Sequence, residues 1–203
     1  TGLADIVLPE IPKLRLEVDE HHHHKDVYEH SITVLEQAIE LEERLSGPNL
    51  VIRLAALLHD IGKPKTRAFI EGGGVSFHHH EVVGARLVKK RLQALRFDND
   101  TIDAVELLTM LHLRFHGYGE GEWTDSAVRR YVRDAGEFIT HLHVLTRADC
   151  TTRNRAKAAR LSATYDSLEA RIDVLMEQEE LSKIRPDLDG AQVMQLLNLK
   201  PSR

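Results

Sequence analysis

Apolar side chains recur along this chain at steps of three and four residues, the spacing that lines one face of an α-helix. Between His24 and Leu45 that face is Val27, Val34, Ala38, Leu41 and Leu45, and "SGPN" at residues 46–49 closes the segment. His30 falls between Val27 and Val34 at the same spacing, so the pattern turns its imidazole toward the core. The next segment, Leu50 to Ile61 in "LVIRLAALLHDIG", is apolar nearly all round, as a central helix covered on several sides must be. His59 and Asp60 close it, and Gly62 followed by Pro64 reads as its stop. Residues 66–78 contain "EGGGVSF", a turn with at most a short hairpin.

A third helix is expected over Val82, Val83, Ala85, Leu87, Val88, Leu92 and Leu95, with His80 and Glu81 near its start. "DND" at 98–100 offers an N-cap for a fourth, whose stripe of Ile102, Val105 and Leu108 or Thr109 leads to His112. After the glycine-rich loop "HGYGEGEW" (116–123), a cap within Thr124–Ser126 opens a short basic helix that ends near Gly136. The helix beyond it carries Phe138, Leu142 and Leu145, with Asp149 following on that face. Leu161, Tyr165, Leu168, Ile172 and Leu175 form a two-in-seven seam, too short for a dimer zipper and suited to core or inter-helix packing. No segment of convincing length alternates with period two, so the expected fold class is all-α, a bundle of seven or eight helices.

The 203 residues suffice for one sizeable domain, or a domain with an appendage. No apolar run approaches the roughly 18 residues that a membrane span needs. Cys150 is the only cysteine and has no partner for an intramolecular disulfide, and Thr1 follows no signal-peptide pattern, so a reducing, cytoplasmic setting is expected. The net charge of −5 gives no global attraction to nucleic acid, and any such contact must come from a local basic patch. A start without Met and a stop at "LNLKPSR" suggest a fragment of a longer protein.

Thirteen histidines, about one residue in sixteen, are a high load of the commonest metal ligand. A single core-facing histidine is more often hydrogen-bonded to a backbone carbonyl than bound to metal. Buried aspartates are harder to dismiss, because an ionised carboxylate in an apolar setting costs several kcal/mol unless a cation compensates it. No Lys or Arg lies on the apolar stripes of Asp60 and Asp149. His30, His59 with Asp60, His80, His112 and Asp149 come from five segments and all point inward. This mixed imidazole and carboxylate set suits one or two divalent ions of Mn, Fe, Ni, Zn or Mg.

In that order, His30, then His59 and Asp60 in "LLHDIGKP", His80 in "FHHHE", His112 in "LHLRFH" and Asp149 in "RAD" resemble the HD superfamily of metal-dependent phosphohydrolases. A narrower resemblance rests on "HKDVYEHS", "LAALLHDIGKPKTR", "VSFHHHEVVGARL", "HLRFHGYGEGEWTDSAVRRYV", "RADCTTRN" and "RPDLDGAQVMQLL". These look like the part after the catalytic head in actinobacterial CCA-adding tRNA nucleotidyltransferases and related poly(A) polymerase-like enzymes, and the head's paired aspartates are not in this sequence. The resemblance implies an HD helical bundle over residues 24–160, a connecting segment at 1–23 and a C-terminal helical segment at 161–203. It makes His30, His59, Asp60 and Asp149 ligands of one metal and His80 and His112 ligands of a second, with Asp60 bridging. Asp60 and Lys63 become the catalytic pair, Lys63 neutralising a substrate phosphate. Where related proteins have glycine before the "HE" pair this chain has His79, which leaves His79 and His80 as two claims on one ligand position, with His80 preferred.

The implied activity is hydrolysis of a phosphomonoester or a 2′,3′-cyclic phosphodiester of a nucleotide or RNA end. Rival readings are a non-catalytic tRNA-binding appendage and a nucleotidase acting on free nucleotides. "RPDLDGAQVMQLL" disfavours the nucleotidase, since that piece resembles the tRNA enzymes. The basic concentrations are Arg129, Arg130 and Arg133 on one helix, then Arg147, Arg153, Arg155, Lys157 and Arg160. Each run reads first as a solvated face and second as a phosphate contact for RNA, with Arg129, Arg130, Arg133, Arg153 and Arg155 as the candidates. His116, Tyr118 and Trp123 flank a loop that reads as a plain helix connection before it reads as a base-stacking platform. His21 to His24 form a native cluster able to hold nickel adventitiously.

Overall fold

A computed structural model describes residues 2–16, 26–71, 74–118, 123–152, 154–183 and 197. The cluster His21–His24, Arg153, and residues 185–196 of "RPDLDGAQVMQLL" lie outside the described residues. The helices are α1 (Leu3–Val7), α2 (Val27–Glu40), α3 (Leu50–Leu58), α4 (Lys63–Thr66), α5 (His80–Ala94), α6 (Asn99–Leu111), α7 (Asp125–Ala135), α8 (Ile139–Asp149) and α9 (Arg155–Lys183). Seven of these described helices have nine residues or more, in keeping with an all-α bundle. Two-residue strands, β1 (Ala68–Phe69) and β2 (Val75–Ser76), pair antiparallel with Ala68 opposite Ser76.

Side-chain caps set the helix starts. Asp26 accepts from the Tyr28 amide at 3.0 Å, Asn49 from Ile52 at 3.0 Å, Asp98 from Thr101 at 2.8 Å and Thr124 from Ala127 at 3.2 Å. Each of these bonds satisfies a donor that the first helical turn leaves without an internal partner. The ends differ from the sequence expectation in two places. The helix expected through Leu45 stops at Glu40 and tightens into a 3₁₀ turn at Glu42–Leu45. That turn carries Glu42 inside, where it takes two bonds of 2.7 Å from Arg53 and one of 3.0 Å from the Asn49 amide. The helix expected through Ile61 ends at Leu58, and Gly62, which reads in sequence as a stop glycine, has an ordinary right-handed φ of −75°.

α3 is the central element and touches α2, α6 and α8, while α5 and α6 form a helical hairpin closed by residues 95–98. α9 lies across α7 and α8 with Tyr165, Leu168, Ile172 and Leu175 buried, so the two-in-seven seam is part of the chain's own core. Tyr165 anchors it further by donating to the Thr146 carbonyl at 2.8 Å. α9 is unbroken through residue 160, so the domain boundary expected there falls inside a helix. Among the described residues no helix is long and apolar enough to cross a membrane. Leu168, 1% exposed, is the deepest of the seam residues. Leu168→Ala is expected to cost about 2–4 kcal/mol in a urea titration, as a single cooperative transition.

Candidate metal centre

The six residues expected as ligands meet at the ends of helices around one carboxylate. Asp60 is 1% exposed and lies in the turn between α3 and α4. Its Oδ2 faces His59 Nε2 at 3.2 Å and His30 Nε2 at 3.7 Å, and its Oδ1 faces His80 Nε2 at 3.1 Å and His112 Nε2 at 4.0 Å. Asp149, the last residue of α8, closes the first side with Oδ1 at 2.9 Å from His30 Nε2 and 3.6 Å from His59 Nε2. The donor atoms form two groups, His30, His59 and Asp149 on one side and Asp60, His80 and His112 on the other.

The orientation of the imidazoles is the test of whether a metal fits. His59 Nδ1 donates to the Ala56 carbonyl at 2.8 Å, His80 Nδ1 to Phe77 at 2.9 Å and His112 Nδ1 to Thr109 at 2.7 Å. Placing the proton on Nδ1 leaves the Nε2 lone pair of each neutral ring directed into the cluster. His80 Nε2 and His112 Nε2 then stand 3.2 Å apart, two acceptors face to face, and His59 Nε2 is buried with no hydrogen-bond partner. Buried acceptors aimed at one another are costly without an electron-pair acceptor between them, and a divalent cation is such an acceptor. The residues therefore fit one cation in each group.

The charges describe the metal-free state, in which a proton on His59 takes the place of a cation. Burial works against the charged form of His59, yet the Asp60 and Asp149 carboxylates outweigh it and raise this imidazole to about 9. For His112 burial acts with the neighbouring His59 and His80, pushing it down to about 3, so it is a neutral imidazole at any ordinary pH. Burial opposes ionisation of both carboxylates. Asp60 is nonetheless held well below the usual range by His59 and Lys63, and Asp149 by its bond to His30 and the charge of His59.

Lys63, expected at a substrate phosphate, has its Nζ 2.9 Å from Asp60 Oδ2 and is itself buried. It sits three residues beyond Asp60 across the turn, off the apolar stripe of α3, which is why the stripe shows no cation beside that carboxylate. His79 takes the left-handed conformation (φ 62°) that caps α5, with its side chain 83% exposed, and His80 is the histidine that enters the cluster. A left-handed backbone is the conformation that glycine adopts without the Cβ penalty a histidine carries there. Sequence reasoning misses Thr151, whose Oγ1 lies 3.3 Å from His30 Nδ1; the only signal for it is its position two residues after Asp149.

Gly62 acts by closeness. A Cβ on it would lie 2.1 Å from the His80 carbonyl oxygen and 2.7 Å from the Gly84 amide nitrogen. Gly84 in turn allows the His59 carbonyl and Thr109 to approach α5. These two glycines press the Asp60 turn against α5 and so bring His80 to the second carboxylate oxygen.

The arginines are placed elsewhere. Arg129, Arg130 and Arg133 are exposed on α7, and Arg155 is exposed at the start of α9. Arg129 is paired with Glu179 of α9, and Arg133 reaches Asp134 at 3.8 Å. Arg147 is turned inward to Asp166 at 2.7 Å and Glu169 at 3.0 Å. Trp123 packs edge-on to Tyr118 and Tyr131, as a helix connection pinned by its tryptophan would.

Comparison with family models matches residues 27–154 to the HD domain. The chain belongs to the HD domain family. This HD chain is 30% identical over 201 residues to the A-adding tRNA nucleotidyltransferase of Deinococcus radiodurans, an alignment covering 98% of the chain and 44% of that protein. It is 32% identical over 207 residues to the CC-adding tRNA nucleotidyltransferase of Thermus thermophilus, covering 98% and 43%. The Multifunctional CCA protein of Neisseria meningitidis is 31% identical over 122 residues, 59% of the chain and 27% of that protein. The HD chain thus spans less than half the length of the curated relatives it matches.

The charge balance and the glycine packing can each be tested. His59 is raised from 6.5 to about 9, so the stability it confers on the metal-free chain is complete below pH 6.5 and is lost as pH rises through about 9. A bound cation must displace that proton, so scanning fluorimetry is expected to give a melting temperature that falls from pH 6.5 to 9 in chelator and is held up by added Mn²⁺. Gly62→Ala is expected to cost about 3 kcal/mol or more and to lower metal content in elemental analysis, whereas His79→Gly stabilises by about 1 kcal/mol and leaves metal content unchanged.

Proposed function

We propose that the cluster is the catalytic centre of a metal-dependent phosphohydrolase that acts on a phosphomonoester or a 2′,3′-cyclic phosphodiester of a nucleotide or RNA end, in the cytoplasm. The observation that carries this reading is the Asp60 carboxylate, whose two oxygens face two separate groups of Nε2 and carboxylate donors. A pair of divalent cations held there would supply charge neutralisation at the phosphoryl group and a water acidic enough to attack at neutral pH.

The chain's own contribution is positioning. Asp60 bridges the two groups, and the Nδ1 bonds to Ala56, Phe77 and Thr109 keep three rings from rotating. His30 is steered by Asp149 on one nitrogen and Thr151 on the other. Lys63 neutralises Asp60 when no cation does so. With cations held by these ligands, Lys63 would be the cation nearest Asp60 to meet a substrate phosphate oxygen, the role that the family resemblance implies for it. The overlap with tRNA nucleotidyltransferases along 98% of the chain supports an RNA end as the natural substrate and tRNA as the partner.

The test is hydrolysis of 2′,3′-cyclic AMP by metal-stripped protein resupplied with Mn²⁺, Ni²⁺ or Mg²⁺, beside Asp60→Asn. The asparagine keeps the volume, and a thermal melt checks that the variant folds. Turnover that requires metal and falls at least 100-fold in the variant is expected. Turnover in Asp60→Asn equal to the parent's would overturn the proposed centre, and a folded, metal-loaded chain that cleaves no phosphoester would favour the RNA-binding appendage.

A further inference from the structure

The turn that carries His59, Asp60 and Lys63 into the cluster has an opposite face, and that face is the floor of a cavity. Ile61 and Pro64, together with Leu87 of α5, line a hollow of about 310 Å³ between the turn, α5 and the 3₁₀ turn Pro12–Leu16. Its rim holds Lys13 from the 3₁₀ turn, Lys65 from α4, and Lys90 and Arg91 from α5. Glu10 is the acid among its lining residues, and it is taken by Arg91 through bonds of 2.8 and 2.9 Å. No ion pair among the described residues involves Lys13, Lys65 or Lys90.

Three lysines from three separate elements are thus gathered around one hollow in a chain whose net charge is −5. Tertiary structure adds Lys13 and Lys65 to the basic run Lys89–Arg91, and like charges brought together repel unless an anion joins them. The lining also limits what the anion is. Among the described residues it offers ammonium and guanidinium donors and the Arg91-paired Glu10 carboxylate over aliphatic carbon, with no aromatic ring, hydroxyl or side-chain amide to stack on a base or read its edge. Such a surface recognises phosphate charge without sequence.

We propose that this cavity binds the sugar-phosphate backbone of an RNA strand, with Lys13, Lys65 and Lys90 as the phosphate contacts. The proposal rests on the reading of the chain as an enzyme of RNA ends, and it assigns the RNA contact to a face other than the arginines of α7. Ile61 and Pro64 belong to the same turn as Asp60 and Lys63, so the backbone-binding floor and the metal ligands are held by one rigid segment.

The experiment is fluorescence anisotropy of a labelled 12-nucleotide single-stranded RNA with the full chain in chelator, from 50 to 300 mM salt. The parent is compared with a Lys13→Gln, Lys65→Gln, Lys90→Gln triple variant and with an Arg130→Gln, Arg133→Gln variant. A thermal melt checks folding, and 2′,3′-cyclic AMP turnover is read in parallel. We expect the lysine variant to bind at least tenfold more weakly at 50 mM salt, with the slope of log K against log salt shallower by about 2, since each phosphate that the variant no longer neutralises removes about 0.7. The arginine variant should change binding less than twofold, and cyclic AMP turnover should be the same in all three.

Equal RNA binding by parent and lysine variant overturns the proposal, as does a weakening confined to the arginine variant. Binding of ATP or inorganic phosphate that competes fully with RNA at equal phosphate concentration would also overturn it, in favour of a small-anion site. Because binding is read in chelator, absence of cyclic AMP turnover in the parent would count against the cyclic phosphodiester as substrate and leave the binding result to be judged by itself.

Discussion

Everything at the centre of this bundle is organised around the burial of the Asp60 carboxylate. An ionised carboxylate 1% exposed to solvent must be surrounded by donors or cations, and the fold supplies them from four directions. His59 and His30 stand at one oxygen, His80 and His112 at the other, and Lys63 reaches over from the next turn. Without metal, the lysine and a charged His59 balance Asp60 and Asp149. Were a cation held there, the same carboxylates would be its ligands and the proton of His59 would have to leave. Exchange between the two conditions would then be coupled to proton release.

A helix end is an unusual place to gain an aligned histidine, and this fold uses it twice. The last carbonyls of any helix lack amide partners, and His59 and His112 each follow the final residue of a helix, α3 and α6, with Nδ1 bonded to the carbonyl three residues back. One bond thus satisfies an orphan acceptor, fixes the tautomer and aims the other nitrogen. His80 repeats the device at a helix start, using the Phe77 carbonyl of the preceding turn. The left-handed residue His79 makes that turn possible, since it lets the chain reverse into α5 with the next side chain directed inward.

Much of this is legible because period and burial are written in residue type. The stripe through Val27, His30 and Val34 places an imidazole among buried side chains, and the structure has it buried; the seam from Tyr165 to Leu175 is core. The caps at Asp98 and Thr124 can be read because short polar side chains before an apolar run have few other uses. What cannot be read depends on distance between segments. Gly62 reads in sequence as a helix stop, since stopping is what most glycines near a proline do. Its actual role is a backbone approach to His80 that no local pattern encodes. The contact of Lys63 with Asp60 is likewise not legible, because a pattern confined to the stripe of α3 does not reveal that the following turn folds back on that carboxylate.

The same limit explains why basic character is conspicuous in runs and concentrated in a cavity. Arg129, Arg130 and Arg133 stand out in sequence because they are close together, and spacings of three and four keep them on one exposed side of α7. Arg129 is held by Glu179 and Arg133 reaches Asp134, so much of that charge is answered within the chain. Lys13, Lys65 and Lys90 come from separate segments, Lys90 from the run Lys89–Arg91 and Lys65 from between Lys63 and Arg67. They become a concentrated positive rim only when the glycine contact at Gly62 and Gly84 seats the Asp60 turn on α5. One close approach of backbones therefore has two consequences: it presents Asp60 to His80 on the inner face, and on the outer face it draws Lys65 toward Lys90.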